Sequence, residues 1–418
     1  MELDRLRSNK SQGASYLSPR KEQPSILTVQ VTREQWNHRD ALRLANGAME
    51  AVTLTGGGHL AELRLAGAGG GGINCLWAAP WPTADPGDPR LPSLVERYGA
   101  DPAGRFLAGY TGHALCLDLF GPPSAEEAAL GVALHGEAAV QPWEFETTTS
   151  GCIGRVNLPV AQIAFERSLS LAPDAAVLFV EERVRNCSSQ TRDMQWVQHL
   201  TLGPPFVTAE ESMLTASLDR GLTWPLGYEG HGLLRDNASF DWPNAPAADG
   251  GSFDLCSPFA RAGTGFLAAT RVNPQGRYAF IAALNIRYNL ALVYCFRWDD
   301  FPWVAVWEEN CARTAAPWNS AAQVRGMEFG TTPMPLGRYT TSRTEDLFDT
   351  PGTRMLAPGA VLQARYLVAL ATVPADWQAI TAVTPQSHTL LLHGPDGHPP
   401  VAIPCAETLQ FLKGENQE

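Results

Sequence analysis

Charged residues are scarce in this chain: they make up 18% of its 418 positions, and lysine and glutamate are both sparse. Because lysine and glutamate are good helix formers, their scarcity disfavours a helical bundle. The formal net charge is −12 and no stripe of basic residues is present, so we expect no nucleic-acid partner, which would need clustered lysine and arginine. Hydrophobic residues amount to 44%, enough to bury a sizeable core.

Closely spaced cysteines are also missing. None of the eight cysteines forms a Cys-x-x-Cys pair, so a zinc-knuckle site is not indicated. Scattered single cysteines are typical of buried thiols in a reducing compartment, and we expect a cytoplasmic protein. Residues 1–25 have no apolar segment of the kind found in signal peptides. The most apolar stretch, Tyr278–Phe296, is interrupted by Arg287, so we expect no membrane partner.

The segments with a regular pattern have the length and alternation of β-strands. Glycine and proline are abundant, at 38 and 32 residues, and they separate these segments as turns. Because no β–α alternation, repeat or low-complexity linker is visible, the pattern predicts one large antiparallel sheet system, an all-β fold with few helices. We expect a polar leader at residues 1–25, a single domain at 26–380 and a C-terminal extension at 381–418. The predicted strands include Ile26–Val31, Met49–Leu54, Leu60–Leu65, Ile163–Leu171, Ala176–Arg185, Met194–Thr201, Phe266–Arg271, Tyr278–Ala283, Leu290–Arg297, Trp303–Trp307 and Val361–Ala371.

Two histidines lie in apolar surroundings where a functional role is conceivable, His135 and His199. The alternative for each is a hydrogen-bonded histidine in the core. Three carboxylates also lie close to apolar strand ends: Glu308, Glu309 and Glu328. Charged groups among such neighbours are either paired or functional. Histidines combined with a carboxylate are the minimum set for acid–base chemistry near neutral pH.

Other types of catalytic site find less support. Arg325 stands near Glu328, so a structural salt bridge is the alternative explanation of that carboxylate. His135 and Glu137 form a His-x-Glu pair, but no second histidine stands at metal-ligand spacing, and we predict no metal and no cofactor. The sequence contains no Gly-x-Ser-x-Gly motif of a serine hydrolase.

Several segments resemble motifs of the galactose mutarotase family, which comprises the aldose 1-epimerases and the related hexose-6-phosphate epimerases. The resemblance covers roughly residues 40–372 and follows the family's order. It rests on the opening strand Asn46-Gly-Ala-Met-Glu-Ala-Val, the run Phe120-Gly-Pro-Pro-Ser with Leu134-His-Gly-Glu-Ala and Pro142-Trp-Glu-Phe, the strand Trp196-Val-Gln-His-Leu-Thr-Leu-Gly, the strand Val304-Ala-Val-Trp-Glu-Glu-Asn, the strand Gly326-Met-Glu-Phe and the closing segment Met355-Leu-Ala-Pro-Gly-Ala-Val.

The resemblance implies a galactose mutarotase-like β-supersandwich and roles for three residues. His135 would bind the substrate, His199 would be the general acid at the ring oxygen, and Glu328 would be the general base at the anomeric hydroxyl. The arginine of the family's HGFAR motif is absent, because Ala138 and Ala139 follow Glu137. A free or unusual aldose is therefore favoured over a phosphorylated hexose.

Further substrate-binding candidates are Asp254, Glu308, Trp307, Arg325 and Trp143. Asp254 is the candidate for the family's catalytic-site aspartate, and the two tryptophans, with Trp196 and Trp303, are candidates for a sugar-stacking platform or for the core. The resemblance implies an aldose 1-epimerase-like enzyme that binds a small carbohydrate as a monomer or homodimer. Two alternatives remain: a non-catalytic carbohydrate-binding protein of the same fold, and a lyase or glycosidase on a related supersandwich.

Overall fold

Strand-length segments of alternating polarity form two large antiparallel sheets in the computed structural model, which describes residues 29–67, 72–338 and 347–414. The first sheet has 11 strands, named here by their order in the chain. From one edge to the other they are β1 (Gln30–Trp36), β2 (Arg39–Ala45), β3 (Met49–Leu54), β4 (Leu60–Leu65), β5 (His113–Leu117), β11 (Trp196–Leu202), β21 (Gln323–Gly330), β20 (Trp303–Asn310), β17 (Thr264–Val272), β13 (Leu218–Thr223) and β14 (Ser239–Asp241).

The second sheet has eight strands and packs face to face against the first. Its order is β12 (Ser212–Ala216), β18 (Tyr278–Asn285), β19 (Leu290–Arg297), β23 (Val361–Thr372), β9 (Val177–Asn186), β8 (Ile163–Leu171), β7 (Gly151–Leu158) and β6 (Glu144–Thr147). Apolar side chains on alternate positions of both sheets, such as Leu200 and Phe329 of the first and Leu169 and Leu292 of the second, form one core between them. The predicted all-β antiparallel sandwich is confirmed.

The remaining elements are short. Three small sheets consist of β10 (Arg192–Met194) with β22 (Arg354–Leu356), β15 (Asn244–Pro246) with β16 (Ser252–Asp254), and β24 (Ala382–Gln386) with β25 (Thr389–His393) and β26 (Val401–Pro404). The α-helices in the described ranges are α1 (Leu91–Tyr98), α2 (Pro102–Leu107), α3 (Ala125–Ala129) and α4 (Thr408–Lys413), and single 3-10 turns occur at Ala138–Val140 and Leu347–Asp349. None of these described helices is long and apolar enough to cross a membrane.

The C-terminal segment covers the outer face of the second sheet. Leu390 and Leu392 of β25 and Leu412 of α4 share a second apolar core with Val293 and Leu367 of that sheet. Strands β18 and β19 of the second sheet are therefore buried on both faces, and they are accordingly apolar at nearly every position. The leader predicted at residues 1–25 lies outside the described residues.

A buried polar network crosses the sandwich directly beneath the site described below. Arg167 of β8 donates to Glu182 of β9 at 2.7 Å, and both side chains are almost completely buried. Gln198 of β11 donates to the same carboxylate at 2.6 Å and accepts from Tyr366 of β23 at 3.2 Å. Because buried charges are tolerated only when paired and hydrogen-bonded, this network fixes the position of β11 relative to the second sheet.

Candidate active site

The site lies on the outer face of the first sheet, where β11, β21 and β20 run side by side. Side chains on a strand alternate between the two faces. On β11, Trp196, Gln198 and Leu200 point into the sandwich, so His199 points outward. On β21, Met327 and Phe329 lie in the core, so Glu328 points outward as well.

The antiparallel register places His199 opposite Glu328. Val197 pairs with Gly330 and Thr201 pairs with Gly326. His199 and Glu328 stand midway between these two pairs and therefore face each other. The Nε2 atom of His199 lies 3.5 Å from Oε1 of Glu328. The structure thus brings together two residues separated by more than a hundred positions in the sequence.

Small residues around this pair leave open space above it. The neighbour of His199 on β5 is Ala114, and the neighbour of Glu328 on β20 is Ala305. Gly326 is also required, because a Cβ atom built there would lie 2.5 Å from Oε1 of Glu328. The acid–base pair therefore forms the floor of a cleft, where only a small part of each side chain is exposed.

His135 joins the pair from a loop that follows α3. Its backbone is left-handed, with φ of 64°, and its ring centroid lies 5.1 Å from that of His199. The backbone N–H of Gly121 donates to Nδ1 of His135 at 3.2 Å. Because Nδ1 accepts this bond, the neutral ring carries its proton on Nε2, and that N–H can donate to a ligand in the cleft.

Hydrogen bonds behind His199 fix its tautomer in the same way. The Thr201 hydroxyl lies 3.4 Å from the carbonyl oxygen of His199, and the Tyr110 hydroxyl lies 2.5 Å from Oγ1 of Thr201 and 3.1 Å from Nδ1 of His199. Since a carbonyl only accepts, Thr201 donates to it, Tyr110 donates to Thr201, and His199 Nδ1–H donates to Tyr110. This chain leaves the lone pair of His199 Nε2 facing Glu328.

Burial determines the protonation of the pair. It raises the pKa of the Glu328 carboxyl well above its ordinary range and lowers the pKa of His199 to about 3. Desolvation outweighs the attraction between the two groups, so the fold favours neutral His199 beside protonated Glu328.

The cleft above this floor has a volume of about 780 Å³. Its walls are largely aromatic. Phe106 and Tyr110 lie near the two histidines, and on the other side the Trp307 ring lies 6.1 Å from His199 and 5.9 Å from Trp318. Further lining side chains from loops are Trp224, Tyr228, Glu229, His231 and Arg313.

Of the five further candidates from the sequence, Trp307 lines the cleft. Glu308 and Arg325 point into the sandwich, where they form an ion pair with neither side chain exposed. The salt bridge considered between Arg325 and Glu328 is therefore made with Glu308, which stands opposite Arg325 in the strand register. Residues 325 and 328 are an odd number of positions apart, so their side chains lie on opposite faces of β21.

Asp254 and Trp143 also lie away from the cleft lining. Asp254 is an exposed residue of β16 whose Oδ1 accepts from the backbone N–H of Cys256. Trp143 packs in the core, and its indole donates to the carbonyl of Ala138 at 3.0 Å. Trp196 and Trp303 are core residues too. For all of these residues, a role in sugar binding stays a prediction.

Several residues of the cleft were not among the candidates predicted from the sequence. Tyr110, Trp224, Tyr228, Arg313 and Trp318 all come from loops or helix ends. Such positions carry no periodic pattern that would indicate the direction of a side chain. The only sequence signal was the excess of tryptophan, 12 residues in all, which indicates aromatic surface without locating it.

Comparisons of the structure with solved structures show one recurrent fold. A candidate aldose 1-epimerase from Klebsiella pneumoniae subsp. pneumoniae MGH 78578 superimposes with a TM-score of 0.54 at 16% identity, over 80% of this chain and 79% of that chain. A galactose mutarotase-like protein from Clostridium acetobutylicum gives 0.54 at 14% identity, over 83% and 99%. A galactose mutarotase related enzyme from Lactobacillus acidophilus gives 0.50 at 14% identity, over 80% and 98%.

Sequence comparisons give no match. No protein-family model matches the chain, and the sequence of no curated protein matches it either. At these identities the likeness establishes the architecture alone. The resemblance found in the sequence and the structural likeness agree: the chain has the galactose mutarotase-like β-supersandwich fold.

Proposed function

We propose that this protein is an aldose 1-epimerase-like enzyme that interconverts the α and β anomers of a free, neutral aldose. One observation carries the proposal: Glu328 and His199 lie 3.5 Å apart on the floor of an open cleft, with His135 beside them. An acid and a base at one reaction centre are what ring opening of a hemiacetal requires.

In the proposed reaction Glu328 takes the proton of the anomeric hydroxyl while His199 gives a proton to the ring oxygen. The bond from C1 to the ring oxygen breaks, and C1 becomes a carbonyl carbon. Rotation about the C1–C2 bond presents the other face of the carbonyl, and the reverse steps close the ring. On closure Glu328 returns its proton to the oxygen on C1, and the hydroxyl formed from the ring oxygen returns its proton to His199, so no atom or electron is gained or lost.

The protonation of the pair is compatible with these roles. The pair shares one proton, which burial favours on Glu328. Transfer of that proton to Nε2 of His199 gives the carboxylate and imidazolium that the assignment needs. The Nε2–H group of His135 can hold a sugar hydroxyl beside the reacting carbon.

A glycosidase is less well supported, because it needs two carboxylates that flank one bond. The group that faces Glu328 on the floor of the cleft is a histidine. Similar considerations disfavour a phosphorylated substrate, since the cation of the cleft, Arg313, already has Glu229 and Glu309 as neighbours, at 3.4 and 3.7 Å.

The test is saturation-transfer NMR of anomeric exchange with purified protein and a panel of neutral aldoses that includes glucose, galactose and xylose. We expect exchange faster than in buffer for at least one sugar, at a rate proportional to enzyme concentration. Sugar binding without any exchange would support the non-catalytic carbohydrate-binding protein instead.

A further inference from the structure

The cleft extends well beyond the acid–base pair. Its volume of about 780 Å³ lies in the upper part of the range for sites that enclose drug-sized ligands, roughly 300–1,000 Å³. A single pyranose ring bound at Glu328 would leave much of this space empty. The side chains that line the rest of the cleft therefore indicate which further groups the ligand has.

The direction of the extension follows from the sheet order. Gly326 on β21 pairs with Trp307 on β20, and Trp307 pairs with Leu267 on β17. The backbone N–H of Trp224, just after β13, donates to the carbonyl of Leu267 at 2.9 Å. With strands about 4.8 Å apart, the backbone of Trp224 lies three strands, or roughly 14 Å, from that of Gly326, two residues before Glu328.

Trp224 has the properties of a stacking platform. Its backbone is held at both polar groups, because its carbonyl also accepts from the N–H of Asn237 at 3.3 Å. Its side chain is only partly buried against the aromatic cluster that contains Trp307 and Trp318, and it lines the cleft. A partly exposed indole that packs against this cluster offers a flat apolar face to a sugar ring at little cost in side-chain entropy.

Arg313 lines the same cleft as Trp224 and the acid–base pair. Its guanidinium carbon lies 5.2 Å from the ring of Tyr228, 5.8 Å from Trp307 and 5.1 Å from Trp318. A guanidinium held in this way presents donors to neutral hydroxyl groups along the cleft. Because carboxylates already balance its charge, it favours a neutral ligand over an anionic one.

We propose that the cleft binds a neutral oligosaccharide with a free reducing end. Its reducing ring lies at Glu328 and His199, and a more distal ring stacks on Trp224. The position of the reducing end rests on the proposed function, whereas the extended binding site does not. The platform makes Trp224 a residue that determines specificity for chain length.

The experiment is calorimetric titration of the wild-type protein with three series of free sugars: glucose, cellobiose and cellotriose; glucose, maltose and maltotriose; galactose and β-1,4-galactobiose. We expect affinity in at least one series to rise about tenfold once the chain reaches the platform, the effect of roughly 1.4 kcal/mol that one aromatic stack contributes. The variant Trp224→Ala should lose that rise and keep its affinity for the monosaccharide, and Trp224→Phe should retain most of the rise.

Trp298→Ala is the matched control, since Trp298 is a partly buried tryptophan that does not line the cleft. It should keep the full rise. Three outcomes would overturn the inference: equal affinity along all three series, no binding of any of these sugars, or a rise in affinity that persists in Trp224→Ala. Because the sugars are at anomeric equilibrium, affinity is measured independently of catalysis. A rise in affinity without anomeric exchange would disprove the proposed function and leave this inference standing.

Discussion

Replacing Glu328 with glutamine tests the proposed mechanism most directly. The amide has the shape of the carboxyl group, so it fits the space above Gly326 and stays within reach of His199. It cannot take a proton from the anomeric hydroxyl. We expect anomeric exchange to fall by about two to four orders of magnitude, the usual contribution of a general base. This corresponds to roughly 3–5 kcal/mol of lost transition-state stabilisation.

The same variant should bind sugar about as well as the wild type, because the amide can still hydrogen-bond a hydroxyl. The pH dependence of its stability should also differ from that of the wild type. Burial raises the pKa of Glu328 above its ordinary value of 4.5. The stability that its bound proton contributes is complete below pH 4.5 and is lost as the pH rises toward the folded-state pKa. The amide does not titrate, so the melting-temperature difference should shift in favour of the variant as the pH rises.

The assay is saturation-transfer NMR of Glu328→Gln, His199→Asn and the double variant, with Glu146→Gln as a control. The Glu146 side chain is 66% exposed on β6, away from the cleft, and the control should match the wild type. Because the two groups act in one step, the loss in the double variant should be smaller than the product of the single losses. A folded Glu328→Gln protein with near-wild-type exchange would refute the role of Glu328 as base.

Three further predictions concern the surroundings of the pair. Gly326→Ala should displace the Glu328 carboxyl from its present position and lower exchange by about 10²-fold; an unchanged rate would show that the position of this carboxyl is not critical. Arg325→Met should leave Glu308 as an unpaired buried charge and reduce the free energy of unfolding in urea by about 3–5 kcal/mol, and a loss below ~1 kcal/mol would contradict the buried pair. Burial lowers the pKa of His199 from 6.5 to about 3. The stability that neutral His199 contributes should therefore be present above pH 6.5 and be lost as the pH falls from 6.5 to about 3. In thermal melts over this pH range the melting temperature of His199→Asn should fall less than that of the wild type.

The sequence by itself determined many of the long strands. Alternation marked Ile163–Leu171 and Leu290–Arg297 with the bounds seen in the structure, because a strand with one or both faces buried must repeat its apolar positions with the pleat. It also identified His135, His199 and Glu328, since a histidine or carboxylate among apolar strand residues is costly unless it is paired or functional. That these three meet follows from the fold.

The two-residue period of a strand also predicts which of its side chains point into the sandwich and which point outward. The core positions Met327 and Phe329 place Glu328 on the outer face, and the odd spacing from 325 to 328 places Arg325 inside. The same parity separates Trp307 from Glu308. A strict application of the two-residue period would have excluded Glu308 and Arg325 from the cleft.

Only the tertiary structure decided the rest of the site. Tyr110, Trp224 and Arg313 reach the cleft from segments without periodic structure, so their direction depends on how distant parts of the chain pack. The protonation of the pair also depended on the fold. Attraction between His199 and Glu328 and burial of both act in opposite directions, and desolvation outweighs the attraction once the surrounding elements exclude water. Burial depends on the packing of elements that are distant in the sequence, and no local pattern records it.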